Sequence, residues 1–388
     1  MSRMFEKPVC LLLALLLLCP MGLGALADSS PGAGKDPSVS LPDDLTAEEK
    51  ELWEGWAEED HLYEDDHAQN AMELTPEEEA AMEELLASME EHPPMEEVDL
   101  SNLEPNEKLP PNVINILLLG LDNRSAALQR GLTDAVIICS INKDTGSIKI
   151  TSIARDLATP IPGFKSQRRI NEPYKYGGPE LAIKTINRYF QLNIQRYVVV
   201  NIHGLADIID ALGGLDLEMT RKEATRIDYE LRKEPMDKVK RPKMKAESGV
   251  HHVDGMQAVT FARIRGIDSD LERTRRQRHL LETLLSAVMN DLDLSKLVDL
   301  IGIAVKYGQT NLTLGEMMEL SMAVLGGEGM RNLSAGNPVM EQLRIPMDKK
   351  FGYRNFSGAS VIYLSPKNLA LSIDTIHTFI YGEPGSIK

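Results

Sequence analysis

Cysteine is nearly absent from this chain of 388 residues. Cys10 and Cys19 sit in an N-terminal apolar run, and Cys139 sits within AVIICSI. That inventory excludes a disulfide framework and a cysteine metal centre. Cys139, in what reads as a buried strand, is a small core filler. The common catalytic signatures are missing too: there is no P-loop, no Gly-x-Ser-x-Gly elbow and no His-Glu-x-x-His pair. No regular helix-turn-helix signature stands out. His251 and His252 are neighbours that would point apart on a strand, and they read as loop residues. Basic residues are missing from one segment. Residues 41–100 hold 23 Asp and Glu against Lys50 alone, a net of −22. With −17 overall and residues 1–40 neutral, residues 101–388 carry +5. The chain is thus an acidic segment joined to a mildly basic domain.

The one long apolar run lies at the start. Arg3 and Lys7 precede VCLLLALLLLC, and Ala25-Leu26-Ala27 supplies small residues for signal-peptide cleavage. Residues 1–27 are expected to be a signal peptide, with an uncleaved anchor as the alternative, since Pro8–Ala27 is barely long enough to span a bilayer. Either way the domain is expected to work outside the cytoplasm, in the cell envelope, secreted or at the outer membrane face. Residues 28–111 read as an acidic linker or stalk, partly helical. Thr46 with Glu49 makes a capping box, and Thr75-Pro76-Glu77-Glu78 is a helix start. Leu52, Trp53 and Trp56, then Met82, Leu85, Leu86 and Met89, form short apolar stripes. They suit a solvated stalk, or a surface that docks on a basic partner or on the basic domain itself. Pro105, Pro110 and Pro111 mark the boundary, and residues 112–388 are expected to form the main folded domain.

From Val113 the texture changes. VINILLLG, AVIICSI, SIKITSI, YVVVN and LDLEM read as strands, the second and third joined as a hairpin at Asn142–Gly146. Helices are expected from Gly178-Pro179, over 204–212, over 254–262, over 280–305 and over 368–381. Residues 221–248, rich in Lys, Arg and Glu, look like a surface insertion. This alternation predicts an α/β fold, a central mixed sheet with helices on both faces.

The stretch FARIRGIDSDLERTRRQ places Arg263, Arg265, Arg273, Arg275 and Arg276 within 17 residues, ending at Gln277. Guanidinium groups match phosphate oxygens in a flat fork and keep their charge. Arg263 and Arg265 would share a face on a strand, and Arg273 and Arg276 on a helix. The ordinary alternative is a solvated basic face paired with Asp268, Asp270 and Glu272. Asp122 and Arg124 follow the first strand, Asp134 opens the second, and Arg155 and Asp156 end the third. Strand ends are where sheet proteins bind ligands. Two carboxylates there suit Mg²⁺, which shares oxygen ligands with substrate phosphates. Turn, cap and local ion-pair duties explain each of these residues singly. Together with the arginine stretch they point to a phosphate or pyrophosphate site.

INILLLGLDNR, GLTDAVIICSINKDTGSIKITSIARD, RINEPYKYGGPE, YVVVNIHGLADIIDALGGLDLEM, HHVDGMQAVTFARIR and DLERTRRQ stand in the order seen in LytR-CpsA-Psr proteins, and the chain resembles that family from about Val113 to Gln277 and on to the C-terminus. The resemblance implies an extracytoplasmic phosphotransferase that moves a teichoic acid, capsule or similar chain from a polyprenyl pyrophosphate carrier onto peptidoglycan, at the membrane surface. It implies Mg²⁺ on Asp122 and Asp134. It places Arg124, Arg155, Arg169, Arg263, Arg265, Arg273, Arg276 and Gln277 around the pyrophosphate, with Asp156 beside Arg155. Thr133, Ala154 and Arg169 replace the more usual serine, proline and lysine, and none of these removes a charge. A polyprenyl tail needs an apolar groove, for which helices 178–190 and 280–305 are apolar enough. A pyrophosphate hydrolase is a second enzymatic reading. The family's old label of transcriptional attenuator implies a DNA-binding regulator, which an exported chain with an acidic segment and only +5 on its domain argues against; no nucleic-acid partner is expected.

Overall fold

The computed structural model describes residues 46–48, 50–51, 70–89, 96–121, 130–233, 239–264, 308–326, 340–356 and 359–382, with 267, 275–276, 279–280, 283–284, 287 and 331. The expected signal peptide, Glu49 and the Leu52–Trp56 stripe lie outside the described residues. Among the described residues, no helix is long and apolar enough to cross a membrane.

Six strands form the central sheet: β1 (Val113–Leu121), β2 (Thr133–Asn142), β3 (Ile148–Ile153), β6 (Arg196–Asn201), β9 (Gly308–Thr310) and β10 (Met340–Ile345), in the order β10-β3-β2-β1-β6-β9. β1 pairs antiparallel to β2 and parallel to β6, and β3 pairs antiparallel to β2 and parallel to β10. The β2–β3 hairpin forms as expected. The Asn142 side-chain oxygen accepts from the amides of Asp144 and Thr145, and Gly146 takes the left-handed conformation that closes the turn.

β1 is apolar from Ile116 to its end because both faces of the sheet are covered. Ile116 and Leu118 face one layer, and Leu117, Leu119 and Leu121 face the other. The first layer holds α3 (Ile202–Ala211), α4 (Arg221–Lys233), α5 (Gly255–Arg263), Leu280, Leu284 and α6 (Leu314–Gly326). The second holds α2 (Pro173–Phe190) and α7 (Pro366–Tyr381). A small hairpin, β11 (Gly352–Phe356) with β12 (Ala359–Tyr363), and two ribbons, β4 (Ala158–Pro160) with β5 (Gln167–Arg169) and β7 (Leu215–Met219) with β8 (Gly249–Val253), complete the fold.

The structure differs from the sequence expectations in three places. Residues 221–233 are not a surface insertion: α4 buries Ala224, Ile227 and Tyr229 in the first layer, and Glu223, Arg226 and Asp228 are buried as well. His251 and His252 belong to β8, where alternation still sends them apart, His251 to the Glu247 carbonyl and His252 to Asp216. Of the two helices expected to line a lipid groove, 178–190 lies in α2, whose Ile183, Ile186 and Phe190 fill the second layer, while most of 280–305 lies outside the described residues.

Residues 70–111 are not a free stalk either. α1 (Pro76–Ser88), started by the expected Thr75–Glu78 capping box, lays Met82 and Leu85 against Ala158 and Val361. The Met72 amide donates to the Phe351 carbonyl at 2.8 Å. Lys184 on α2 donates to the carbonyls of Asp99 and Asn102, and Arg188 holds Glu104 at 2.6 Å. The apolar stripe seen in the sequence is therefore a docking face, and the segment is strapped across the domain.

Candidate anion site

One edge of the central sheet collects the residues that the sequence singles out. β1, β3, β6 and β10 all end there, and β2 begins there. Leu121 stands between Thr133 on β2 and Asn201 on β6. The β1–β2 register shifts between Gly120, opposite Ala135, and Leu121, opposite Thr133. Residue 134 is therefore the extra residue of a bulge, a device common beside active sites because it re-aims the chain. In the sequence Asp122 follows Leu121 directly and Asp134 is this bulge residue, and carboxylate oxygens are the donor type a hard cation such as Mg²⁺ takes. Asp122 itself, with Arg124, Arg265, Arg273 and Gln277, lies outside the described residues.

The third strand delivers the buried part of the site. Past Ile153, the Arg155 carbonyl accepts from the Asn171 amide at 3.2 Å, and the Asn171 carbonyl accepts from the Thr133 amide at 3.1 Å. The Asp156 carbonyl accepts from the Ile362 amide at 2.9 Å. These bonds lock the Arg155-Asp156 turn between β2, β12 and the start of α2. The Asp156 carboxylate is 0% exposed, 3.5 Å from Arg155 Nε and 3.7 Å from Arg169 Nη1. Glu172 takes both neighbouring arginines of β5, Arg168 at 2.6 Å and Arg169 at 3.4 Å. Among the described residues, three guanidinium groups and two carboxylates are thus gathered in a largely buried cluster. Guanidinium groups match phosphate oxygens in a flat fork and keep their charge when buried. The structure brings Arg155, Asp156 and Arg169 together as the sequence suggests. It adds Arg168 and Glu172, whose i,i+4 spacing was the visible signal.

The arginine stretch reaches the first layer from α5. Asp254 caps this helix, accepting from the Gln257 amide at 2.9 Å while its own amide donates to Gln257 Oε1. A Cβ on Gly255 would lie 1.9 Å from the Ala206 carbonyl oxygen, so only glycine permits this approach of α5 to α3. α3 in turn starts at Asn201, whose side chain accepts from the Gly204 amide at 2.8 Å. Arg263 is the last residue of α5, half-buried. It is helical, so the strand argument that paired it with Arg265 does not apply.

Arg276 also differs from expectation. It is 0% exposed, donates Nη1 to Glu223 at 3.3 Å and Nη2 to the Ile264 carbonyl at 3.0 Å. Arg275 meets the same Glu223 oxygen at 3.0 Å. Protein atoms already surround the Arg276 charge, which makes it a structural clamp on the arginine stretch rather than an anion ligand. Its partner was missed in the sequence, although Thr220-x-x-Glu223 is a capping box, seen here as Thr220 N and Oγ1 donating to Glu223 Oε2. Among the described residues, no group of three His, Cys, Asp or Glu is placed to hold a metal ion.

The LytR_cpsA_psr family model matches residues 78–353, well over half of the chain. A Bacillus cereus protein named polyisoprenyl-teichoic acid–peptidoglycan teichoic acid transferase TagU is 30% identical over 227 residues, covering 58% of this chain and 66% of that protein. The Bacillus anthracis protein of the same name is 30% identical over 234 residues, 60% of this chain and 71% of that one. The chain therefore spans about two thirds of the length of these relatives. Its fold matches the crystal structure of B. subtilis TagT with a TM-score of 0.51 at 20% identity, over 73% of this chain and 99% of that one. The chain belongs to the LytR_cpsA_psr family.

Proposed function

We propose that this protein is an extracytoplasmic phosphotransferase that moves a glycopolymer from a polyprenyl pyrophosphate carrier onto a peptidoglycan hydroxyl at the membrane surface. The observation that supports the reading is the buried cluster of Arg155, Arg168 and Arg169 with Asp156 and Glu172, at the sheet edge where β1 ends and β2 begins at Thr133. An acceptor oxygen attacks the phosphorus nearer the glycopolymer, a phosphodiester forms, and the lipid leaves as its monophosphate. Arg155 and Arg169, with Arg263 from the first layer, hold the pyrophosphate oxygens and offset charge that builds on the leaving phosphate. Asp156, flanked by two guanidinium groups, orients them rather than taking a proton. Asp134 and Asp122 would hold Mg²⁺, which supplies charge neutralisation on the pyrophosphate when bound. The tail belongs on the first layer, where Phe261, Ile264, Ile267, Leu280 and Leu284 continue from Arg263.

The test is equilibrium binding of a short-chain polyprenyl pyrophosphate. A charge-assisted hydrogen bond is worth about 1.5–3 kcal/mol, so Arg169→Ala should weaken binding about tenfold to a hundredfold. Arg169→Lys should recover only part, because the fork is lost. Unchanged affinity in Arg169→Ala would remove the cluster from the donor site.

A further inference from the structure

Beside the anion cluster stands a second feature that the transfer reaction as described does not use. The loop from β4 to β5 turns at Gly163, with the Phe164 amide donating to the Ile161 carbonyl at 3.1 Å. Phe164 then meets Tyr176, in the first turns of α2, with ring centroids 4.9 Å apart and planes inclined at 58°. The rings form an open V, not a stack. Arg168 lies 5.6 Å from the Phe164 centroid and 6.0 Å from that of Tyr176, and it is 5% exposed, whereas both rings are half-buried. The cation is thus buried, while part of each ring stays exposed to solvent. Lys175 and Arg130, both exposed, flank it. Lys175 sits 5.5 Å from the Tyr176 ring, and Arg130 donates to the Tyr176 carbonyl at 3.3 Å.

The ordinary explanation is that the rings only shield Arg168. That would account for their inner sides and not for their exposed parts or for the position of the pair. Arg168 and Arg169 are consecutive on β5 and are both held by Glu172. Arg168 lies against the aromatic V, and Arg169 lies against Asp156. A molecule on the V is therefore adjacent to a reacting phosphate on the cluster.

We propose that Phe164 and Tyr176 form a saccharide subsite, with a pyranose ring laid on the V and Lys175 and Arg130 at its rim. Pyranose C–H bonds carry partial positive charge and pack on electron-rich ring faces, while peripheral donors meet the hydroxyl and amide oxygens. The ring belongs to the acceptor glycan or to the first sugars of the donor. This inference rests on the transferase reading and names where one of its sugars sits.

The test uses the full chain with chitotetraose as a soluble N-acetylhexosamine probe, titrated calorimetrically, and short-chain polyprenyl pyrophosphate as the parallel ligand. Phe164→Leu and Tyr176→Leu should weaken chitotetraose binding about threefold to tenfold, the range of an aromatic contact, and leave the pyrophosphate lipid bound as before. Tyr176→Trp should restore saccharide binding, which a role confined to packing around Arg168 would not produce. In the transfer reaction, a raised KM for peptidoglycan assigns the ring to the acceptor, and a raised KM for the donor assigns it to the glycopolymer. Absence of chitotetraose binding by the unsubstituted chain, or unchanged binding in both leucine variants, overturns the subsite. Failure of the transferase reading would show separately, as no binding of the pyrophosphate lipid.

Discussion

Glu223 offers the sharpest mechanical test of how the arginine stretch is held. Its carboxylate is 2% exposed and meets Arg275 at 3.0 Å and Arg276 at 3.3 Å. It also accepts from Thr220 at the start of α4. Glu223→Ala removes a carboxylate from the fully buried Arg276 guanidinium, which also donates to the Ile264 carbonyl. Removing one partner of a buried pair costs about 3–5 kcal/mol. Losing the capping contact adds about 1 kcal/mol. The Arg275 share is small, because that side chain is half in solvent and screened. At about 2–4 °C per kcal/mol for a domain of this size, the melting temperature of the full chain should fall by on the order of 10 °C. The double variant Glu223→Leu/Arg276→Met removes both charges and should recover most of that loss. The assay is a thermal melt followed by circular dichroism for the three proteins. A fall below about 2 °C in Glu223→Ala, or no recovery in the double variant, would refute the clamp.

Three further outcomes follow from the same contacts. Met82 is 1% exposed, so Met82→Ala should cost about 2–5 kcal/mol in a urea titration, whereas a free stalk would leave the midpoint unmoved. Arg188, then Lys184, holds the Glu104 carboxyl below its ordinary range. That stability is present above the ordinary glutamate pKa and is lost as pH falls, so Glu104→Gln should destabilise at pH 7 and converge with the parent in acid. Burial raises the Asp210 carboxyl despite the bond from the Gly255 amide, 2.7 Å long. Its sign is opposite: stability is present at low pH and lost as pH rises through the raised value. Asp210→Asn, which keeps the acceptor, should therefore match or exceed the parent's melting temperature at pH 7 and lose that advantage in acid.

Much of the fold was legible because it follows periodicity. β1 and β2 read as continuous apolar runs and prove to be central strands covered on both faces. The hairpin at Asn142–Gly146 and the Thr75 capping box rest on local chemistry and stand as read. Tertiary partners were less visible. Residues 221–233 are so highly charged that their buried stripe was overlooked, and Glu223 looks like any surface glutamate until Arg276 is placed beside it. The Arg155-Asp156 pair was legible as a strand end, but Arg168 and Glu172 became part of the site only through the fold of β4 and β5 back onto it. Apolar content marks 178–190 as buried, as its place in the second layer bears out, while most of 280–305 lies outside the described residues.

The central claim is transfer from a lipid pyrophosphate with cleavage between the two phosphates. The most direct measurement is a single reaction of the full chain with a polyprenyl pyrophosphate-linked glycopolymer, purified peptidoglycan and Mg²⁺, with the lipid and polymer products analysed by mass spectrometry. The account predicts polymer joined to peptidoglycan through a phosphodiester, with one polyprenyl monophosphate released per joined chain, and loss of both products in Arg155→Ala and Asp134→Ala. Free polymer phosphate with no peptidoglycan conjugate, or release of polyprenyl pyrophosphate, would contradict it.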